Sequence, residues 1–530
     1  MRAAAVALLV VASAAVYANS LTNPYVLDDI AAVSENRAAH WPPDLAGIFA
    51  KNYWGDRPGY ESLTIYRPAA TLTFALVDRV FGPDCPAAQR AVNIALHVGC
   101  TLVLFFLLAM FLRSVPAALA AALLFALHPV HTEAVVGVVS RAELMAAFFV
   151  LVGTLAWLGW RDRPVRRRTL RWVMPVILAC ALMSKESGFT LLGVVAGADG
   201  VAWMVRRRTG RREGSGPDWI AYGLMLAVFA AYMGLRLVVL PGVLAGDLSA
   251  SDNPIVAADA VGRVLSPFKV LAWYLRLLVV PTGLTIDYSV NHFQVAADLA
   301  DPAALAGVVA MLAALAACVA SARREGVLAM LLLGFFATYS VVSNFAFLST
   351  IVMAERLVYL PSAFFVAAVV HAARQAADRL VAGARDCPMR ERWMRAAGWG
   401  LAVAVSGAFA VGTVERNADW ESPLSLYSAA VATAPDSAKA RHLLANELAT
   451  GALLEDAVRH YSASLALDPS NFVARTNYAA ALHRLGREDE ALEELKVVLT
   501  RTPRYRPAFA LVCTIYHDTG KPRAASKYCL

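Results

Sequence analysis

The sequence predicts an all-α protein in two parts, a polytopic membrane helix bundle over residues 1–414 and a short α-solenoid over 415–530. Three observations lead there. Of the 530 residues, 59% are apolar and only 17% are charged, against about 25% charged in an ordinary soluble domain. Apolar stretches long enough to cross a bilayer, roughly 20 residues each, recur from the N-terminus to about residue 414 and then stop. Beyond that point the chain turns polar and its landmark residues return every 34 positions.

Eleven spans are expected, near 4–20, 90–112, 115–131, 141–160, 171–184, 188–205, 218–240, 302–321, 327–347, 357–373 and 396–414. The net charge of +8 does not point to nucleic acid, because the arginines gather in short loops at 160–171, 206–212, 321–325 and 374–395. The positive-inside rule makes those loops cytoplasmic. Segment 21–85 is more acidic than basic, which suits the outer side, and an odd number of spans with the N-terminus inside puts the repeats outside as well. Helices at 67–81 and 263–281 must then lie on the membrane. In the second of these, Lys269, Trp273 and Arg276 make a polar and aromatic stripe of the interfacial kind. The first segment reads as an uncleaved anchor, a cleaved leader being the alternative.

The repeat is measured by Pro435, Pro469 and Pro503 and by Ala457, Ala491 and Ala525, each set spaced by 34 residues. That is the tetratricopeptide period. Ala445, Ala457, Ala479 and Ala491 are expected where paired helices pack closely, Tyr461 and Leu495 fill the gaps, and "LGREDEAL" (485–492) supplies the turn between helices. Such arrays present a concave groove, so a protein partner or substrate is expected. Of seven scattered cysteines, Cys513 and Cys529 fall on facing segments of the last repeat and suit a disulfide outside the cytoplasm.

Ionisable residues inside membrane segments are functional candidates by default, because each costs a few kcal/mol to insert. In the expected topology they collect at one membrane face: Asp28 and Asp29 after the first span, Arg67 at the start of the interfacial helix, and His128, His131 and Glu133 at the end of the third span. Arg141 and Glu143 of the same block, Lys185 and Glu186 of "SKESG", Glu355 and Arg356 of "AERLVYLPS", and Asp287, Tyr288 and His292 join them. Taken singly, each has a plainer reading. Adjacent aspartates in a loop are commonly solvated, Glu133 and Glu143 could neutralise Arg141 or a histidine, and Lys185 could pair with Glu186 or another buried carboxylate. Pro129 between the two histidines departs from a metalloprotease HExxH.

Their convergence fits a lipid-linked sugar phosphate, whose tail stays in the bilayer while its phosphate sits at the surface. Arginine and lysine at that boundary could hold the leaving phosphate. A carboxylate on the first external loop could take the proton of an incoming hydroxyl.

The blocks "NPYVLDDIAAVSEN", "YRPAATLTFAL", "VNIALH", "LHPVHTEAVVGVVSRAELMA", "LMSKESGFTLL" and "ERLVYLPS" resemble the transmembrane and tetratricopeptide-repeat (TMTC) family, a group in the GT-C glycosyltransferase class. The resemblance implies a GT-C membrane bundle, protein O-mannosylation from dolichyl-phosphate mannose, and Asp28 and Asp29 as the acidic pair of which one serves as base. About three repeats are visible where animal members carry longer arrays, and "YRP" stands where His-Arg-Pro is often seen. The Ala- and Arg-rich style suggests a bacterial chain, with a polyprenyl phosphate sugar as donor, an inner-membrane location and repeats in the periplasm. Expected partners are membrane lipid, the lipid-linked donor and a protein acceptor. No cofactor besides that donor is implied, and a divalent metal is left open. A non-catalytic membrane-anchored scaffold for envelope protein assembly is the alternative, and a transporter would need its charges at mid-membrane depth instead.

Overall fold

The computed structural model describes residues 2–55, 64–209, 216–240, 248–382, 388–521 and 528–529. Every regular element among the described residues is helical. The chain divides into two compact units, the first made of Met1–Thr282 and Val295–Glu421, the second of Gly283–Gln294 and Ser422–Leu530.

In the first unit, eight helices are long and apolar enough to cross a membrane: Arg2–Ser20, Pro86–Leu112, Val138–Trp160, Glu186–Thr209, Trp219–Val239, Pro302–Ala322, Glu355–Leu380 and Arg392–Asp419. A ninth candidate is the pair Val115–Ala126 and Pro129–Val136, bent by 52°. The protein is therefore an integral membrane protein. Two further expected spans coincide with helices that fall short of the same test: Val327–Val342 is shorter, and Pro164–Ser184 carries four arginines in its first half. Ala260–Val279 also forms a helix. Its Lys269 is ion-paired to Asp301 at 2.8 Å, so part of the stripe read as facing headgroups is used within the protein. Gly307 permits that packing, since a Cβ there would lie 1.9 Å from the Phe268 carbonyl oxygen.

The last helix of this unit, Pro388–Asp419, runs past the expected boundary at 414, and the units divide after Glu421. Hydropathy ends before the helix does because its last turns carry buried polar groups. Asn417 donates to the Val16 carbonyl at 2.9 Å, and Arg416 reaches Glu355 at 3.4 Å.

One device recurs three times and builds the polar end of the bundle. An extended residue leads into a 3-10 turn, and a new helix begins. The extended residues are His128, Lys185 and Ala354, and the turns are Pro129–His131, Glu186–Phe189 and Glu355–Val358. At His128 the cause is local, because the residue before proline is driven out of the helical region. At Gly188 it is a close approach: an added Cβ would meet the Ala181 backbone at 2.5 Å.

Such breaks are tolerable at membrane depth only where the freed backbone groups find partners. Helix Pro86–Leu112 supplies them. Arg90, fully buried, donates to the carbonyls of Val136 at 2.9 Å and Pro24 at 2.6 Å, and also to that of Asn23. Asn93 donates to the Gly137 carbonyl at 3.0 Å.

In the second unit, helices Pro423–Thr433, Ala438–Thr450, Leu454–Leu467, Phe472–Arg484, Glu488–Arg501 and Arg506–Asp518 make the repeats. Ala445, Ala457, Ala479 and Ala491 are wholly buried at the helix contacts, as the 34-residue period predicts; Ala525 lies outside the described residues. The period also reaches the backbone. Ala452, Gly486 and Gly520 all adopt positive φ, at +61°, +74° and +67°, in the turns that follow helices Ala438–Thr450, Phe472–Arg484 and Arg506–Asp518. Cys513 and Cys529 form the expected disulfide.

Segment Gly283–Gln294, with Asp287, Tyr288 and His292, belongs to this second unit. Asp287 is buried and accepts a hydrogen bond from Ser437 at 2.5 Å, while the same serine oxygen caps helix Ala438–Thr450 by accepting from Ala440 N–H at 2.9 Å.

Candidate active site

The two adjacent aspartates have opposite environments. Leu27, at φ +52°, turns the chain sharply before them. Asp29 is 1% exposed, and its Oδ1 accepts from the Val139 N–H at 2.7 Å. It thereby pins the first loop to the break between helices Thr132–Val136 and Arg141–Trp160. Burial pushes its carboxyl up to about 6, against the pull of that N–H and of Arg90. Asp28 is exposed and lies in the field of Arg356 and Tyr53.

Around this loop the residues expected to converge do so, as ion pairs. Glu133 takes both Arg356 groups, the backbone N–H at 2.8 Å and the guanidinium at 2.7 Å. Glu143 is bonded to the Lys185 ammonium, both buried. Glu186 faces Arg67 at 3.5 Å, and Arg67 also lies over the Tyr53 ring, 5.4 Å from its centre. Glu355 takes Arg416 and sits deeper, fully buried. Charges of both signs thus meet at the three 3-10 turns and the helix starts beside them.

Three expected residues lie beneath this surface. Arg141 is fully buried, donates to Asn93 at 2.9 Å and to the Gln89 carbonyl at 2.6 Å, and covers the Phe74 ring at 4.5 Å. Its partners are neutral, and Glu143 pairs with Lys185 instead. His128 and His131 are also fully buried. His128 meets the Leu278 carbonyl at 3.0 Å, His131 meets the Ser362 hydroxyl at 2.8 Å, and His97 packs edge-on against His131. The two histidines therefore brace the bend at Pro129 and are enclosed by protein. Among the described residues, no group of three or more His, Cys, Asp and Glu is arranged to hold a metal ion.

Sequence reasoning passed over several residues of this region. Arg236, near the end of helix Trp219–Val239, donates to the Thr64 carbonyl at 3.0 Å and lies in the field of Glu186. Both Arg236 and Arg67 keep a buried Nε without a hydrogen-bond partner. A lone arginine near the end of an apolar run was the available signal. Arg90 and Asn93 had a similar one, as polar residues one helical turn apart on an otherwise apolar span.

Comparison with known proteins follows the same outline. A family model described as dolichyl-phosphate-mannose-protein mannosyltransferase matches residues 63–249, and a tetratricopeptide-repeat model matches 453–514. Protein O-mannosyl-transferase TMTC3 of Mus musculus is 27% identical over 527 residues, covering 95% of this chain and 55% of its own length. Protein O-mannosyl-transferase TMTC1 of Homo sapiens is 28% identical over 529 residues, 91% of this chain and 56% of its own. Over nearly its whole length the chain is thus similar to proteins of the TMTC family. A third TMTC relative, protein O-mannosyl-transferase Tmtc2 of Drosophila melanogaster, is 33% identical over 284 residues, covering 52% of this chain and 29% of its own. The chain spans just over half the length of the first two TMTC relatives. No solved structure matches it.

Proposed function

We propose that this chain transfers a mannosyl unit from a polyprenyl phosphate to Ser and Thr hydroxyls of proteins, with inversion at C1. The reading places the site on the external face of a bacterial inner membrane, with the repeats in the periplasm docking the acceptor protein. The observation that carries it is the exposed Asp28 carboxylate held in the field of Arg356, on a loop that the buried Asp29 anchors.

In the step itself, Asp28 accepts the proton of the acceptor hydroxyl as its oxygen bonds to C1 of the sugar. The bond from C1 to the phosphate oxygen breaks, and its electron pair leaves with the polyprenyl phosphate. Arg67 and Arg236 supply two guanidinium groups against the single carboxylate of Glu186, each with an Nε still to be satisfied. That surplus suits a departing phosphate. Asp29 is a positioning residue here, since its accessible surface is almost nil and its Oδ1 is used by Val139.

The test is direct transfer by the purified full chain in nanodiscs, with polyprenyl-phosphate mannose as donor and a Ser/Thr-rich peptide or unfolded protein as acceptor. The reading predicts an O-linked mannose of inverted anomeric configuration. Donor left intact with every acceptor would favour the scaffold alternative.

A further inference from the structure

Away from the charged cluster, helices Glu186–Thr209 and Trp219–Val239 run side by side in sequence but pack on different neighbours, the first against Val327–Tyr339 and the second against Pro164–Ser184. A groove of about 710 Å³ opens between them, lined at helical spacing by Ala196, Gly200 and Trp203 on one wall and Trp219, Tyr222 and Leu226 on the other. The space beside Gly200 and Gly223 is open, for a Cβ at either would meet nothing within 4 Å. Asp199 also borders it, but both its oxygens are engaged: Oδ1 accepts from Trp157 at 3.1 Å and Arg161 at 2.5 Å, and Oδ2 from the Tyr222 hydroxyl at 3.1 Å. What remains facing the groove is apolar.

The rim carries the opposite character. Six arginines lie within residues 160–171 and three more at 206–208, against the carboxylates of Asp162, Asp199 and Asp218. Those acids are shared among Arg161, Arg167, Arg171 and Arg206. Arg207 and Arg166 lie over tryptophan rings instead, Arg207 at 4.3 Å from Trp203 and Arg166 at 5.9 Å from Trp160. An apolar trough that ends in a cationic, tryptophan-bearing rim matches a molecule with a hydrocarbon chain and an anionic head.

We propose that this groove is a binding site for an anionic phospholipid of the surrounding membrane, one acyl chain between the two helices and the phosphodiester against Arg207 and its neighbours. The site is separate from the charged cluster at the opposite ends of the same helices, and it does not depend on the transfer reaction. A zwitterionic lipid offers the same chain but no net charge to the rim, so the anionic lipid is favoured.

Native mass spectrometry of the full chain released from mixed phosphatidylglycerol and phosphatidylcholine micelles tests this. The wild type should retain phosphatidylglycerol about tenfold better, the selectivity expected from one or two interfacial arginines. Gly223→Trp and Gly200→Leu, both directed into open space, should melt as the wild type does and lose that retention, while Arg207→Gln should keep lipid binding and lose most of the selectivity. Equal retention of the two lipids by the wild type would overturn the proposal. So would undiminished phosphatidylglycerol binding by both groove-filling variants, or displacement of that lipid by an equimolar polyprenyl phosphate, which would assign the groove to the donor's tail.

Discussion

Glu133 and Arg356, 223 positions apart, are joined twice: one carboxylate oxygen accepts from the Arg356 guanidinium and the other from its backbone N–H, at 2.7 and 2.8 Å. The pair closes the bend after Pro129 onto the turn Glu355–Val358, and Glu133 is only 4% exposed in its side chain while Arg356 is 30%. Removing one partner of a buried pair strands the other. Glu133→Ala should therefore lower stability by about 3 kcal/mol, and Glu133→Gln, which keeps an acceptor for the backbone N–H, by less. Thermal melts in detergent of the two variants, side by side, check the order; equal melting temperatures would contradict it.

Lys185 and Glu143 make a second buried pair. Lys185→Ala alone leaves a buried carboxylate and should lower stability by roughly 3 kcal/mol, whereas adding Glu143→Ala should recover a good part of that loss. A double-mutant cycle on thermal stability measures the coupling. Additive single-site losses would mean that the two groups do not depend on one another.

Asp29 gives a pH signature. Its folded carboxyl titrates at about 6, above the ordinary value of about 3.9. Between those values the unfolded chain has released a proton that the folded chain keeps, so stability falls as pH rises through the window and stays lower above it, by about 3 kcal/mol. Asp29→Asn can still accept from Val139 N–H and carries no charge to bury. The difference between variant and wild-type melting curves should grow in the variant's favour from about pH 4 to about pH 6, and parallel pH profiles would contradict the assignment.

The repeats offer a test of backbone strain. Ala452 holds φ +61° at the position where the next two repeats have Gly486 and Gly520. A side chain is disfavoured in that region, so Ala452→Gly should raise the stability of the repeat unit by about 1 kcal/mol. Hydrogen exchange of the helices Ala438–Thr450 and Leu454–Leu467 reads this directly. Faster exchange in the variant would show that the turn is not strained.

How much of this was legible in the sequence follows from the range of each signal. Apolar run length and the 34-residue period are local, and the helices and repeats they predict are present, down to the buried Ala445 and Ala479. The charged candidates were visible one at a time, because a charge in an apolar segment is conspicuous. Their pairing was not, since Glu143 and Lys185 are 42 residues apart and Glu133 and Arg356 are 223. Arg141 shows the limit: a carboxylate lies two positions away, yet its partners are Asn93 and the Gln89 carbonyl. The placement of Asp287 with the repeats, through Ser437, depends on a contact across 150 residues that no local pattern encodes.

The measurement that bears most directly on the central claim is the rate of sugar transfer to a short peptide by Asp28→Asn and by Asp29→Asn, each beside its melting temperature. Asp28 is exposed in the field of Arg356 while Asp29 is buried on Val139, so the account predicts that Asp28→Asn melts normally and loses roughly a hundredfold or more in rate, the usual worth of a general base. Asp29→Asn should lose less than about tenfold, as a positioning group that retains its hydrogen bond. Wild-type rates in a correctly folded Asp28→Asn protein would contradict the account.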